Sequence, residues 1–282
     1  MRLARRITVL LGLLTIIFPS YLLASDVKPD EIVAKHLESI GSPQLRNVKS
    51  RVVQGGSTYR VLVGGSGAID GKYVFASEGQ KSDILLKINA GGFRGEQFIS
   101  DGNKSSVAGT YADMTRSEFG NFVLTNDIVL RESLLGGVWS SGWPLLDVEG
   151  RKARLHAEGI KKVDGKELLA LRYQPKKSID LDIFLYFDPQ NYHHVMTVYK
   201  LEPSTSVAGG ETAMAGKSTR RYRIEERFSD FQTVDGLTLP AHYDLRYALE
   251  DESGFTKSIE WEVRALSILN NQSIDPRSFQ VK

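Results

Sequence analysis

The chain has 282 residues, 41% of them hydrophobic, no cysteine, and 36 basic residues against 34 acidic ones. That length supports a substantial core without disulfides, and the balanced charge lacks the basic bias that a nucleic-acid partner requires.

The first residues read as a leader. MRLARR carries Arg2, Arg5 and Arg6, ITVLLGLLTIIF follows without a charge, and small residues stand at Ala24 and Ser25. A basic start, a short apolar run and a small-residue exit make a secretory signal peptide, residues 1–24, cleaved after Ala24. The competing reading is a retained anchor helix. Against it, the apolar run is near the lower limit for a span and Pro19 interrupts it. No cysteine follows, which excludes a lipid-modified N-terminus. Residues 25–282 are then expected to form one domain. The leader takes three basic and no acidic residues with it, so the remainder has a net charge of −1.

PDEIVAKHLESIG starts this domain as a short helix, with Pro29 in its first turn, Asp30 and Glu31 at the positive end of its dipole, and Gly41 as its stop. Val33, Leu37 and Ile40 are expected on its apolar face. From about Lys49 the apolar period becomes two. Early copies are Tyr59, Val61 and Val63, and then Ile84, Leu86 and Ile88. Later copies are Tyr222, Ile224 and Phe228, the long run Leu237, Leu239, Ala241, Tyr243, Leu245, Tyr247 and Leu249, and finally Ile259, Trp261, Val263 and Ala265. Each is a strand with one covered and one wet face. AIDGKY, SEGQ, SDGN, KVDGKE, FDPQN and TVDGL supply turns between them, so the sheet is antiparallel. Between the early and late strands, NDIVLRESLL reads as a helix capped at Thr125 or Asn126 and ended by Gly136-Gly137. GGVWSSGWPLL follows as an apolar loop or short helix. Glu202 to Thr219 is a Gly-rich loop.

The stretch YFDPQNYHHVMTVYK holds the residues most suggestive of chemistry, His193 and His194. Adjacent strand residues point to opposite faces, so this pair does not chelate one metal in regular strand geometry. His36, His156 and His242 are scattered without metal-ligand spacing. GGSGAIDG lacks the Lys-Ser/Thr of a phosphate loop, and no G-x-S-x-G elbow occurs. The carboxylates are read as lying mostly on wet faces. The expectation is a hairpin with structural histidines and a protein with no catalytic site, no metal and no cofactor. A large one-sided sheet with few helices curls on itself, receives an apolar ligand, or has its interior filled by side chains.

PDEIVAKHLESIG, LDIFLYFDPQNYHHVMTVYK, FSDFQTVDGLTLPAHYDL and WEVRALSILNNQSIDPRSF together resemble the outer-membrane lipoprotein-sorting proteins of the LolA/LolB type. The resemblance implies a mainly β, α+β fold: an antiparallel, unclosed β half-barrel with short helices covering its open side. It also implies a periplasmic location and a cavity for lipid or lipoprotein acyl chains. The late strands are expected to line that cavity with Tyr243, Leu245, Tyr247, Trp261 and Val263, and the middle ones with Ile183, Leu185 and Phe187. Leu134, Trp139 and Trp143 are expected as its lid. A monomeric carrier is the first reading. The alternative is a non-catalytic envelope sensor that binds a protein partner on the same fold.

Overall fold

The structure is a computed structural model that describes residues 27–88, 94–110, 115–202, 220–251 and 253–281. The leader and nearly all of the Glu202–Thr219 loop lie outside the described residues. Twelve strands form one sheet: β1 Ser50–Val63, β2 Ala68–Glu78, β3 Lys81–Ile88, β4 Gly95–Ser100, β5 Ser105–Gly109, β6 Arg154–Val163, β7 Lys166–Gln174, β8 Asp182–Phe187, β9 His194–Leu201, β10 Arg221–Val234, β11 Leu237–Glu250 and β12 Thr256–Asn270. Their order is β5-β4-β3-β2-β1-β12-β11-β10-β9-β8-β7-β6, and every neighbouring pair is antiparallel. The sheet is an unclosed half-barrel.

Local sequence explains most of its corners. Asp164-Gly165 joins β6 to β7 and Asp235-Gly236 joins β10 to β11. All four residues have positive φ, from 50° to 82°, which is the two-residue turn that matches strand twist. The Asp-Gly of AIDGKY behaves differently. Asp70 and Gly71 lie inside β2, opposite Thr58 and Ser57. A Cβ at Gly71 would stand 2.0 Å from the Lys87 carbonyl oxygen, so here glycine permits a close strand approach rather than a turn.

The alternation continues through β11, where Leu237, Leu239, Tyr243, Leu245, Tyr247 and Leu249 are buried. At the far end of β1 the pattern outruns the core and Val63 is exposed. The first helix, α1 Pro29–Ser39, stops at Gly41 with φ 85°. Its buried face is Ile32, His36, Leu37 and Ile40. The stripe is therefore turned from the expected Val33 to Ile32, and it takes in His36.

Strands β5 and β6 are consecutive in sequence yet stand at opposite edges of the sheet. The connection between them must therefore cross the open side. It contains α3 Glu118–Thr125, α4 Ile128–Arg131 and α5 Val148–Arg151, while α2 Ser42–Leu45 precedes β1. The helix expected over NDIVLRESLL is corrected to the single turn of α4. Ser133 takes a left-handed φ of 56° and ends it. Ile128, Val129, Leu130, Leu134 and Leu135 are all buried, so contacts on every side, rather than one amphipathic face, set the backbone. The better-formed helix is α3, which Ser117 caps by accepting from the Gly120 N–H. Glu96 anchors that cap, accepting from the Ser117 N–H and hydroxyl at 2.6 and 2.7 Å.

Candidate functional site in the concave face

All eleven residues expected at the cavity fall in one buried cluster. Leu134, Trp139, Trp143, Ile183, Leu185, Phe187, Tyr243, Leu245, Tyr247, Trp261 and Val263 are each at most 2% exposed. The strand residues come from β8, β11 and β12, while Leu134, Trp139 and Trp143 come from the β5–β6 crossover. Here the crossover lies inside the barrel rather than over it. Two short 3-10 turns, Gly137–Trp139 and Pro144–Leu146, carry Val138, Trp139 and Leu145 into the core. The Trp139 ring lies 5.2 Å from Tyr243 and 5.6 Å from Tyr73, centroid to centroid. A groove of about 280 Å³ between α3 and the start of β10 is lined by Phe122, Leu201, Arg220 and Tyr222 among others, and by none of the eleven.

An irregular segment inside a core must satisfy its backbone with side chains. The Arg51 guanidinium, fully buried, donates to the Val138 carbonyl. The Trp139 indole donates to the Pro240 carbonyl at 2.9 Å. The Ser141 N–H donates to the Ser77 hydroxyl at 2.9 Å, and Arg151 donates to the Gly142 carbonyl. Burial holds Arg51 down to about 10.

The most unusual contact is with Glu226. This carboxylate is 0% exposed. Its Oε1 accepts from the Gly136 N–H at 2.6 Å and from the Tyr243 hydroxyl at 2.8 Å. Its Oε2 accepts from the Tyr199 hydroxyl at 2.6 Å. Among the described residues no basic side chain pairs with it. Burial pushes the carboxyl up to about 7, against the downward pull of Tyr199, Gly136 and Tyr243. Tyr199, Tyr243 and Tyr73 are raised well above the ordinary phenol range, chiefly by burial and next by the Glu226 charge. The Tyr73 hydroxyl, buried beside this group, has no hydrogen-bond partner among the described residues.

The two histidines part company, but only His194 lies on a strand. His193 is half-buried in the β8–β9 turn and stacks on Phe231 at 4.4 Å. His194 is fully buried among Trp143, Phe187, Phe228 and His36, and its Nε2 pairs with the Thr197 hydroxyl at 2.9 Å. His36 accepts from the Trp143 indole at Nε2 and, in the matching tautomer, donates from Nδ1 to the Tyr192 carbonyl. Burial holds it down to about 4, so it is neutral.

Sequence reading passed over Glu226 and Arg51. Glu226 occupies an apolar phase of β10, between Ile224 and Phe228, where alternation demands a core residue. A carboxylate out of phase with its strand was the available signal. Arg51, two residues before the buried Val53 on β1, gives the same signal.

No family model and no curated protein matches the chain. Among solved structures it is similar to a DUF1329 family protein from Desulfovibrio piger, with 10% identity over 89% of this chain and 96% of that one, at TM-score 0.46. It is similar also to a LolA superfamily protein from Nitrosomonas europaea, with 15% identity over 90% and 98% of the two chains, at TM-score 0.44. A third likeness is to the MucA/MucB complex structure from Pseudomonas aeruginosa, with 10% identity over 86% of this chain and 99% of that one, at TM-score 0.24.

Proposed function

We propose that the protein is a periplasmic carrier that binds lipid or lipoprotein acyl chains in the concave face of its half-barrel. The observation behind this reading is the convergence of the eleven apolar residues, eight from the sheet and three from the irregular crossover, in one cluster on the concave face. Loading requires that part of the crossover give way to the ligand. Each methylene transferred from water contributes about 0.8 kcal/mol, so one partly buried chain reaches micromolar binding after the costs of association.

Solvent extraction of natively purified protein, followed by mass spectrometry, tests the reading together with uptake of a fluorescent fatty-acid probe. Leu245→Glu is expected to abolish uptake and Arg246→Gln to preserve it, the comparison being valid when circular dichroism shows both folded. A wild-type protein with no co-purified lipid and no probe uptake overturns the carrier reading. The second reading, an envelope sensor that binds a protein partner, then replaces it. That reading draws on the same crossover, because a face already filled by its own chain has no need of a ligand.

A further inference from the structure

Cations on the outer face of the late strands are neutralised in a ladder. Arg246 pairs with Glu260, Arg223 and Arg227 with Glu225, and Arg264 with Glu262. The corner where β6, β7 and the β7–β8 connection meet departs from that pattern. Arg172 lies between Leu171 and Tyr173, which enter the core, so alternation turns it outward. His156 stands opposite Arg172 and Arg154 opposite Gln174, which puts Arg154 on the same outer face. A pocket of about 70 Å³ opens there, lined by Arg154, Arg172, Lys177, Ser178 and Asp182 among others. Three cations meet one carboxylate, an excess of two positive charges. Arg172 donates to Asp182. Arg154 and Lys177 have no ion-pair partner among the described residues.

The backbone adds donors. Residues 176–180 form no helix or strand, and none of their N–H groups donates to a backbone carbonyl among the described residues. Free N–H groups beside a guanidinium and an ammonium are the means by which proteins hold oxyanions. At about 30 Å³ per water the pocket has room for about two waters, which suits a tetrahedral oxyanion and not a sugar ring or an acyl chain. A phosphate monoester carries about two negative charges at neutral pH, matching the excess. We propose that this corner is a phosphate site, for free phosphate or the monoester of a larger molecule, held by Arg154, Lys177, Ser178 and the amides of the connection. Asp182 holds Arg172 in place beside it. The site lies outside the concave face and does not depend on the carrier reading.

The test follows backbone amide resonances of the full mature chain during titration with inorganic phosphate, with sodium chloride at matched ionic strength as control. Saturable shifts at Lys176 to Asp180 are expected with phosphate and not with chloride. Arg154→Gln combined with Lys177→Gln is expected to weaken binding about tenfold, as for the loss of two exposed ion pairs. Both side chains are exposed, and unchanged resonances of the β11 amides verify that the variant is folded. Lys161→Gln removes an exposed cation of β6 outside the pocket and is expected to leave the affinity unchanged. Absence of saturable shifts at the connection, an equal response to chloride, or an equal loss with Lys161→Gln overturns the site. Two further probes separate the sources. Sedimentation with equimolar phosphatidylcholine–phosphatidic acid vesicles, absent with phosphatidylcholine alone and lost in the double variant, identifies a lipid headgroup. Without sedimentation, glycerol 3-phosphate binding more tightly than inorganic phosphate identifies a soluble monoester, and the reverse order identifies the free ion.

Discussion

Replacing Glu226 by glutamine changes how stability depends on pH, and the size follows from the burial of the carboxyl. Its ordinary value is 4.5 and its folded value about 7. For an acid raised by folding, the folded state holds its proton more tightly than the unfolded state between those two values. The contribution to stability is fully present below pH 4.5 and is lost as pH rises through 7. A gap of this size corresponds to about 3 kcal/mol. His36 works in the opposite direction. Burial lowers it from 6.5 to about 4, so its contribution is present above pH 6.5 and is lost as pH falls through 4. That term is common to wild type and variant and cancels in their comparison. Urea unfolding of both proteins at pH 5 and pH 8 gives the measurement. Between those values the wild type should lose about 3 kcal/mol more than Glu226→Gln. Parallel pH profiles would show that the carboxyl is hydrated or paired, and the argument from uncompensated burial would be refuted.

His194→Ala is expected to cost about 3 kcal/mol, because it opens a void among Trp143, Phe187 and Phe228. His193→Ala, on the half-buried side, should cost about 1 kcal/mol, and equal losses in urea unfolding would contradict the difference in burial. Gly136→Ala, at φ 87° and facing Phe75, is expected to lose about 2 kcal/mol, and an unchanged unfolding midpoint would show that the turn relaxes freely. Intact-mass measurement of protein from the envelope fraction should find a chain beginning at Ser25; a mass that retains the first 24 residues, with membrane fractionation, would make the leader an anchor.

The strands were legible because their information is local. A period of two and an Asp-Gly pair declare a strand and its turn without reference to the rest of the chain, as β10, β11 and the Asp235-Gly236 turn show. Even there, AIDGKY misled, since Gly71 answers to the Lys87 carbonyl on the next strand and not to its own neighbours. The burial of the apolar residues of β8, β11 and β12 was legible for the same reason as the strands. What escaped was set by distant partners. Glu226 is tolerable in the core only because Tyr199, Tyr243 and Gly136 all donate to it. Nothing in the phase of β10 announces those donors. The crossover hid its conformation likewise, since its backbone is satisfied by Arg51, Ser77, Arg151 and Glu226 from separate elements.

The placement of β5 and β6 at opposite edges makes that crossover the decisive element, because the same chain that must span the open side also fills it. A carrier needs the Gly136–Gly137 turn to open while the sheet stays folded, whereas a permanently filled core opens only when the whole domain unfolds. Hydrogen exchange separates the two, since amides released by local opening exchange at a lower free energy than those freed by global unfolding. The Gly136 amide reports on its bond to Glu226, and the Tyr243 and Leu245 amides report on β11, paired on both sides by β10 and β12. Under the carrier reading the Gly136 amide is expected to exchange at a free energy several kcal/mol below that of the β11 amides, about 3 kcal/mol being well within the span between local and global opening. If all three exchange with the global unfolding energy, the turn is a fixed part of the core. The concave face then has no route for a ligand, and binding must be sought on the outer surface.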